Sequence, residues 1–175
     1  HELAQLPEGY HTLHADICGD LSTHHDQFDL MFSCMLAEHI EDAEAFYRNQ
    51  IALLRPGGAA IHLHPTLYSI PFAINHILPH SLGKKIVETL KPDRKTKKSV
   101  FPAFYSWCTA RSREIGRRKA LGFSDVDVAV NYNHSYLSRI PILSQASDGL
   151  CQLFKATDTR TMASFCVYLA IKEDS

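Results

Sequence analysis

The sequence predicts an α/β fold with parallel strands in its first half and antiparallel strands at its end. An apolar run over residues 28–33 is of the kind that parallel sheets bury on both faces, and a helical pattern and a second apolar run over 59–64 follow it. A strand, a helix and a strand with short joins form a right-handed parallel crossover. Near the end of the chain, residues 126–132 and 162–171 alternate as strands do. The length of 175 residues suits one domain.

The first predicted element is a short strand over residues 10–17. Its apolar side chains Leu13, Ala15 and Ile17 recur at every second position, so they share one face of an extended chain.

The first helix is predicted over residues 41–54. Apolar side chains recur there at three- and four-residue steps, and Glu41 and Asp42 stand at the start, where the helix dipole favours negative charge. Pro56, Gly57 and Gly58 are predicted to end the helix, because proline cannot continue it and glycine accepts a positive φ.

The second half of the chain continues the alternation of helices and strands. A basic helix is predicted over 103–121, a strand over 126–132, a helix over 141–156 and a strand over 162–171. The odd-numbered apolar residues of the last strand share one face: Ala163, Phe165, Val167, Leu169 and Ile171.

Positive charge is concentrated in one segment. Residues 84–119 hold twelve basic and three acidic side chains, whereas residues 1–83 hold two basic and ten acidic ones. The segment is either a solvated helical face or a patch that attracts an anionic substrate, a phosphate carrier or an anionic membrane surface. We expect a carrier-linked or small anionic acceptor and possible peripheral membrane contact as partners, and nucleic acid is the less favoured ligand.

The cysteines and the apolar runs indicate a cytoplasmic location. The five cysteines are odd in number and form no CxxC pair, which favours reduced thiols over a disulfide framework. No apolar run approaches the 18 or so residues of a membrane span, and no signal peptide is apparent. Because the sequence starts without methionine, we expect that it begins within a longer gene or after processing.

Residues 28–65 resemble the middle of the class I S-adenosylmethionine-dependent methyltransferases. The similarity lies in FDLMF at 28–32, AEHIED at 37–42 and LLRPGG at 53–58. The ending, from LGFSDVDVAVNY to MASFCVYLAIK, is similar in outline to that family's last two strands. The resemblance implies a Rossmann-like methyltransferase sheet that lacks its first two strands and has its final two strands antiparallel. It also implies that residues 65–119 form a basic helical insertion or lid.

The resemblance implies a cofactor, S-adenosylmethionine, and places four residues around it. Asp16 corresponds to the acid that accepts a hydrogen bond from the adenine amino group, and Ile17 would pack on the adenine ring. Ser33 and Cys34 match the position whose backbone lies along the methionine part. The alternative for Asp16 is a turn cap, with Asp20 as the competing acid.

Two histidines are predicted as catalytic residues. His39 is a candidate general base because imidazole groups ordinarily titrate near neutral pH, and His64 ends the strand that faces the substrate side of the sheet. Some relatives bind a metal through ExxEH at this point, but here Met35 replaces the first acid, so no metal is predicted. Both histidines have an alternative as hydrogen-bonded structural side chains.

No GxG occurs among the eight glycines, so the glycine-rich cofactor loop of the family is missing from this sequence. We therefore expect this chain alone to bind the cofactor poorly or not at all. The predicted function is methyl transfer to a small-molecule, sugar or lipid-linked acceptor by a domain that is incomplete as given. The alternative is a non-catalytic truncated module that binds an anionic partner through residues 84–119. A nucleotide-dependent dehydrogenase is a weaker alternative, since it needs the same glycine loop.

Overall fold

The computed structural model describes residues 11–77, 102–134, 137 and 140–174. These contain four strands, β1 Phe28–Cys34, β2 Leu54–Pro65, β3 Phe123–Asn131 and β4 Phe165–Lys172. They also contain four α-helices, α1 Ala43–Leu53, α2 Ile70–Ile77, α3 Ser112–Ala120 and α4 Pro141–Ala156. Short 3₁₀ turns lie at Ser22–His24, Ala37–His39 and Arg160–Met162.

The four strands form one open mixed sheet in the order β1-β2-β4-β3. β1 and β2 are parallel, whereas β4 pairs antiparallel with both β2 and β3. Both the parallel crossover and the antiparallel final strands are therefore confirmed.

The crossover helix α1 begins and ends close to its predicted bounds. The Asp42 side chain accepts a hydrogen bond from the Ala45 amide at 3.0 Å and so caps the helix. The helix ends at Leu53, and β2 starts at the next residue. Pro56, Gly57 and Gly58 thus follow the helix end and form an irregular stretch inside β2, where the register with β1 shifts. Gly57 has φ +71°, which explains a glycine there.

The prediction of a strand over residues 10–17 is wrong for its described part, because residues 11–17 form no strand. The alternating apolar residues nevertheless lie on one side. Leu13, Ala15 and Ile17 line one apolar depression of about 190 Å³ together with Met31 of β1 and Leu53 of α1. No described strand pairs with this segment, so no backbone ladder holds it.

The helix predicted over 103–121 forms only at Ser112–Ala120. Upstream of it, the amides of Phe104 and Tyr105 donate to the carbonyl of Glu38 at 2.8 and 3.1 Å, which holds the chain out of helical geometry. Tyr105 and Trp107 adopt φ of 55° and 57°. The helical periodicity of residues 103–111 is therefore overridden by the backbone hydrogen bonds to Glu38 and by aromatic packing.

One face of the sheet is buried and the other is largely open in the described residues. The buried face carries His62 and His64 of β2 and Cys166 and Tyr168 of β4, all at most 2% exposed. On the opposite face of β1, Phe32 is 78% exposed. The final strand therefore turns its even-numbered side chains inward, and Val167 and Leu169 of the odd-numbered set lie on the less buried face.

The remaining bounds agree closely with the sequence. α4 matches the prediction, and β3 and β4 are shifted by three residues or fewer at each end. Residues 78–101 of the predicted insertion lie outside the described residues. The structure describes residues 65–77, which include α2, and residues 102–119 of that region. No helix in the described ranges is long and apolar enough to cross a membrane.

Candidate functional site

The candidate site lies where the parallel strands β1 and β2 end. Ligands of open α/β sheets bind at the carboxyl ends of parallel strands. Met35 follows β1 with φ 55°, and its amide donates to the Leu63 carbonyl of β2 at 2.8 Å. The chain then turns through Ala37–His39 into α1. The backbone at this corner is therefore held in an uncommon conformation by its neighbour strand.

Asp16 and Ile17 lie in a turn that packs near the start of α1. Asp16 accepts a hydrogen bond from the Cys18 amide at 2.9 Å, as the turn-cap alternative predicts, and it remains exposed. The Asn49 side chain of α1 donates to the carbonyls of Ile17 and Gly19 at 2.8 and 2.7 Å. Ile17 packs against the buried cluster that includes Ala37. The structure thus holds the turn that contains this predicted pair against α1.

Ser33 and Cys34 are the last two residues of β1. Cys34 is exposed, whereas Ser33 is half-buried and bonds through its hydroxyl to Nδ1 of His62 at 2.8 Å. The other nitrogen of His62, Nε2, lies 2.8 Å from Oε1 of Gln50 in α1. Sequence patterns do not indicate that His62 and Gln50 are linked, because a hydrogen-bonded chain across three elements leaves no local signal.

His39 is held in one orientation beside the end of β1. Its Nδ1 donates to the carbonyl of Pro102 at 2.7 Å, and in the neutral ring this places the basic lone pair on Nε2. Nε2 lies 3.8 Å from a carboxylate oxygen of Glu38, and the His39 side chain is 34% exposed. The ring is thus both oriented and reachable from solvent.

Glu38 is a buried carboxyl group at the same corner. It is 3% exposed, and its Oε2 has no hydrogen-bond partner within the described part of the chain. Burial raises the pKa of this carboxyl above its ordinary value, and the nearby His39 partly offsets the rise. The sequence singled out Glu38 only as half of a metal motif.

His64 is placed very differently from His39. Its ring is 0% exposed, donates from Nδ1 to the Pro65 carbonyl at 3.0 Å and stacks on Tyr168 with centroids 5.7 Å apart. Burial lowers the pKa of His64 to about 4. A bound molecule cannot reach this ring in the structure, whereas the His39 side chain is partly exposed.

Arg118 belongs to the basic segment 84–119, but the structure buries its side chain completely. Its guanidinium lies 3.8 Å from the ring centroid of Tyr168 and 4.1 Å from that of Tyr47. It donates to the Tyr47 hydroxyl and to the Glu114 carbonyl. Its charge, after burial, is the second cause that lowers the pKa of His62 to about 3. Arg118 therefore helps to keep the nearby imidazole neutral.

No group of three or more His, Cys, Asp or Glu side chains that could hold a metal ion occurs within the described ranges. The polar groups of the predicted site are instead the exposed carboxylate of Asp16, the hydroxyl of Ser33 and the imidazole of His39. Together with the half-buried Ile17, they suit an organic ligand that has hydrogen-bond donors and an apolar ring.

Residues 2–62 match a protein family described as "Methyltransferase domain". No curated protein sequence matches the chain.

Several solved structures share the fold. A SAM-dependent methyltransferase from Archaeoglobus fulgidus aligns with a TM-score of 0.52 and 11% identity, over 97% of this chain and 71% of that one. A SAM-dependent methyltransferase from Thermotoga maritima, a possible histamine N-methyltransferase, aligns with a TM-score of 0.51 and 16% identity, over 94% and 65%.

A third structure is phosphoethanolamine N-methyltransferase 2 of Haemonchus contortus, in complex with phosphomonomethylethanolamine and S-adenosylhomocysteine. It aligns with a TM-score of 0.50 and 17% identity over 91% of this chain, which spans 36% of that protein's length. The family match over residues 2–62 and the shared fold confirm the predicted resemblance to the class I S-adenosylmethionine-dependent methyltransferases.

Proposed function

We propose that this chain takes part in methyl transfer from S-adenosylmethionine to an oxygen or nitrogen of a small-molecule, sugar or lipid-linked acceptor. The observation that supports the proposal is the arrangement of the predicted segments around β1 and α1. Ser33 and Cys34 end β1, His39 follows it, and Ile17 packs against the buried cluster that includes Ala37.

The groups of the predicted site fit the cofactor's chemistry. S-adenosylmethionine offers amino and hydroxyl donors and an apolar purine ring. Asp16 is exposed and has acceptor capacity beyond its bond to the Cys18 amide, Ser33 carries hydroxyl lone pairs, and Ile17 is a half-buried apolar surface. The bound cofactor supplies a methyl group already activated by its sulfonium, so the protein mainly needs to align the acceptor.

His39 is the residue placed to move a proton. With Nδ1 donating to the Pro102 carbonyl, Nε2 would accept the proton of an acceptor hydroxyl, or of an ammonium group before its nitrogen attacks. The bond between the methyl carbon and the cofactor's sulfur would break as the bond to the acceptor forms, which releases S-adenosylhomocysteine. The oriented ring avoids a search among rotamers before each transfer. His64 is left out of this step because it is buried.

The acceptor class rests on charge. The basic segment 84–119 supports an anionic or carrier-linked acceptor, and the Haemonchus contortus structure holds a phosphorylated one. This proposal and possible peripheral contact with an anionic membrane surface follow from the same charge.

The proposal is tested by measuring binding of S-adenosylhomocysteine with ligand-observed NMR, which detects weak complexes. We expect weak binding that Asp16→Ala abolishes. Asp20→Ala is a matched control, because Asp20 caps a similar turn through the Ser22 amide at 3.0 Å. If the wild-type chain does not bind, or if both variants bind as it does, the proposed cofactor site is refuted.

The second candidate is a non-catalytic module that holds an anionic partner through residues 84–119. Several described cations of this segment are already engaged. Arg118 is buried, Arg117 pairs with Glu114 at 2.9 Å, and Arg111 lies 4.2 Å above the ring of Tyr68. These contacts reduce the free positive charge that the described part of the segment offers to any anionic ligand. Salt-sensitive binding to anionic vesicles without binding of S-adenosylhomocysteine would favour the module.

A further inference from the structure

A chain of hydrogen bonds runs from the core to the half-buried end of β1. Gln50 in α1 and His62 in β2 are each 2% exposed, and Ser33 in β1 is half-buried. Gln50 Oε1 lies 2.8 Å from His62 Nε2, and His62 Nδ1 lies 2.8 Å from the Ser33 hydroxyl. Three separate elements thus contribute one member each.

The first bond decides the direction of the second. An amide oxygen has no proton to give, so His62 must donate from Nε2 to Gln50. A neutral imidazole has only one N–H, which leaves a lone pair on Nδ1. The Ser33 hydroxyl must then donate its only proton to Nδ1. Its oxygen retains two lone pairs, and it can only accept hydrogen bonds from another molecule.

The surroundings of His62 keep it neutral. On α1 the ring contacts Phe46 and Tyr47, with centroids 5.6 and 5.7 Å away. Burial is the largest cause that lowers the pKa of His62, and the charged and titratable neighbours Arg118 from α3 and His64 from its own strand lower it further. Protonation of His62 would reverse its bond to Ser33, and both its burial and its neighbours disfavour that protonation.

We propose that Gln50 and His62 are positioning residues that hold the Ser33 hydroxyl as an acceptor for an N–H or O–H group of the bound cofactor. The proposal rests on the proposed function, since it assigns Ser33 to the same site. It adds a selectivity rule: at this point the site favours a donor group on its ligand and rejects an acceptor, which would face only lone pairs.

The direction of the chain is tested without ligand. A two-bond ¹H–¹⁵N correlation spectrum of ¹⁵N-labelled protein distinguishes the two histidine tautomers, and His62→Gln assigns the signal. We expect the Nε2–H tautomer for His62 at neutral pH. The Nδ1–H tautomer would reverse the chain and overturn the proposal.

The role in binding is tested with S-adenosylhomocysteine as the probe. Ser33→Ala should weaken binding roughly tenfold, the usual consequence of losing one hydrogen bond. Gln50→Glu places a carboxylate beside His62 and favours its protonation, so Ser33 becomes a donor as pH falls. Binding by this variant should weaken from pH 8 to pH 5 beyond any change in the wild type, and adding Ser33→Ala should remove that extra dependence. Glu44→Gln, on the exposed face of α1, is the control.

The outcomes separate the two proposals. A wild-type chain that does not bind S-adenosylhomocysteine refutes the proposed function and this ligand role with it. A wild-type chain that binds, together with Ser33→Ala that binds equally well, overturns the positioning role alone. A purely structural role would change stability in Gln50→Glu but would not give binding a new pH dependence that needs Ser33.

Discussion

Acidification from pH 7 to pH 5 should destabilise this protein, because His62 and His64 are buried in their neutral form. They are 2% and 0% exposed. Their pKa values are lowered from 6.5 to about 3 and about 4, with burial as the largest cause in each case. The positive charge of Arg118 contributes in the same direction for both rings.

The magnitude follows from the difference in proton uptake. Below pH 6.5 the unfolded chain binds a proton at each ring, whereas the folded chain binds it only near pH 4 or 3. The stabilisation is thus complete above pH 6.5 and is lost as pH falls toward the folded values. Linkage gives a loss of about 2 kcal/mol for each ring between pH 7 and pH 5, or about 4 kcal/mol for both. Glu38, with its raised pKa, opposes part of this loss.

The assay is urea unfolding at pH 7, 6 and 5. His64→Asn should be less stable at pH 7, but the change in its free energy of unfolding between pH 7 and 5 should be smaller by about 2 kcal/mol. His14→Asn, at an exposed position, is the control and should keep the wild-type dependence. If His64→Asn retains the full wild-type change, His64 is not buried as the neutral ring and the reasoning is refuted.

Three further substitutions test the fold by thermal unfolding. Gly116→Ala in α3 should stabilise by up to about 1 kcal/mol, because a Cβ there meets no atom within 4 Å and alanine favours a helix; a lower melting temperature would contradict this. Gly57→Ala should destabilise by at least about 1 kcal/mol, since φ is +71° and the new Cβ would lie 2.8 Å from Asp174 Oδ1; an unchanged protein would argue against this turn. Arg118→Lys should cost about 2 kcal/mol or more, because an ammonium cannot stack on both tyrosine rings; a neutral result would disprove the sandwich.

Residues 28–65 show how far local patterns determine this fold. The apolar run of β1, the Asp42 cap and the period of α1 are all properties of neighbouring residues, so the sequence predicted the crossover correctly. The helix α4 and the antiparallel pair β3 and β4 were predicted for the same reason.

The two wrong predictions depend on residues that are distant in the sequence. Residues 11–17 alternate as a strand does, but a strand needs a partner, and none pairs with them among the described residues. Residues 103–111 have a helical pattern, yet their amides at Phe104 and Tyr105 bond to Glu38. In both cases the deciding residues lie outside the predicted segment, so its local pattern could not reveal the outcome.

The same distinction between local pattern and tertiary packing applies to the candidate site. The sequence by itself determined the strand ends and hence the positions of Ser33, Cys34 and His39, because strand periodicity and turn signals are local. Only the tertiary structure decided that His64 is buried while His39 is reachable, and that Gln50, His62 and Ser33 form one hydrogen-bonded chain. The burial of Arg118 between two tyrosines was likewise decided there, since burial and ring stacking depend on which elements pack together.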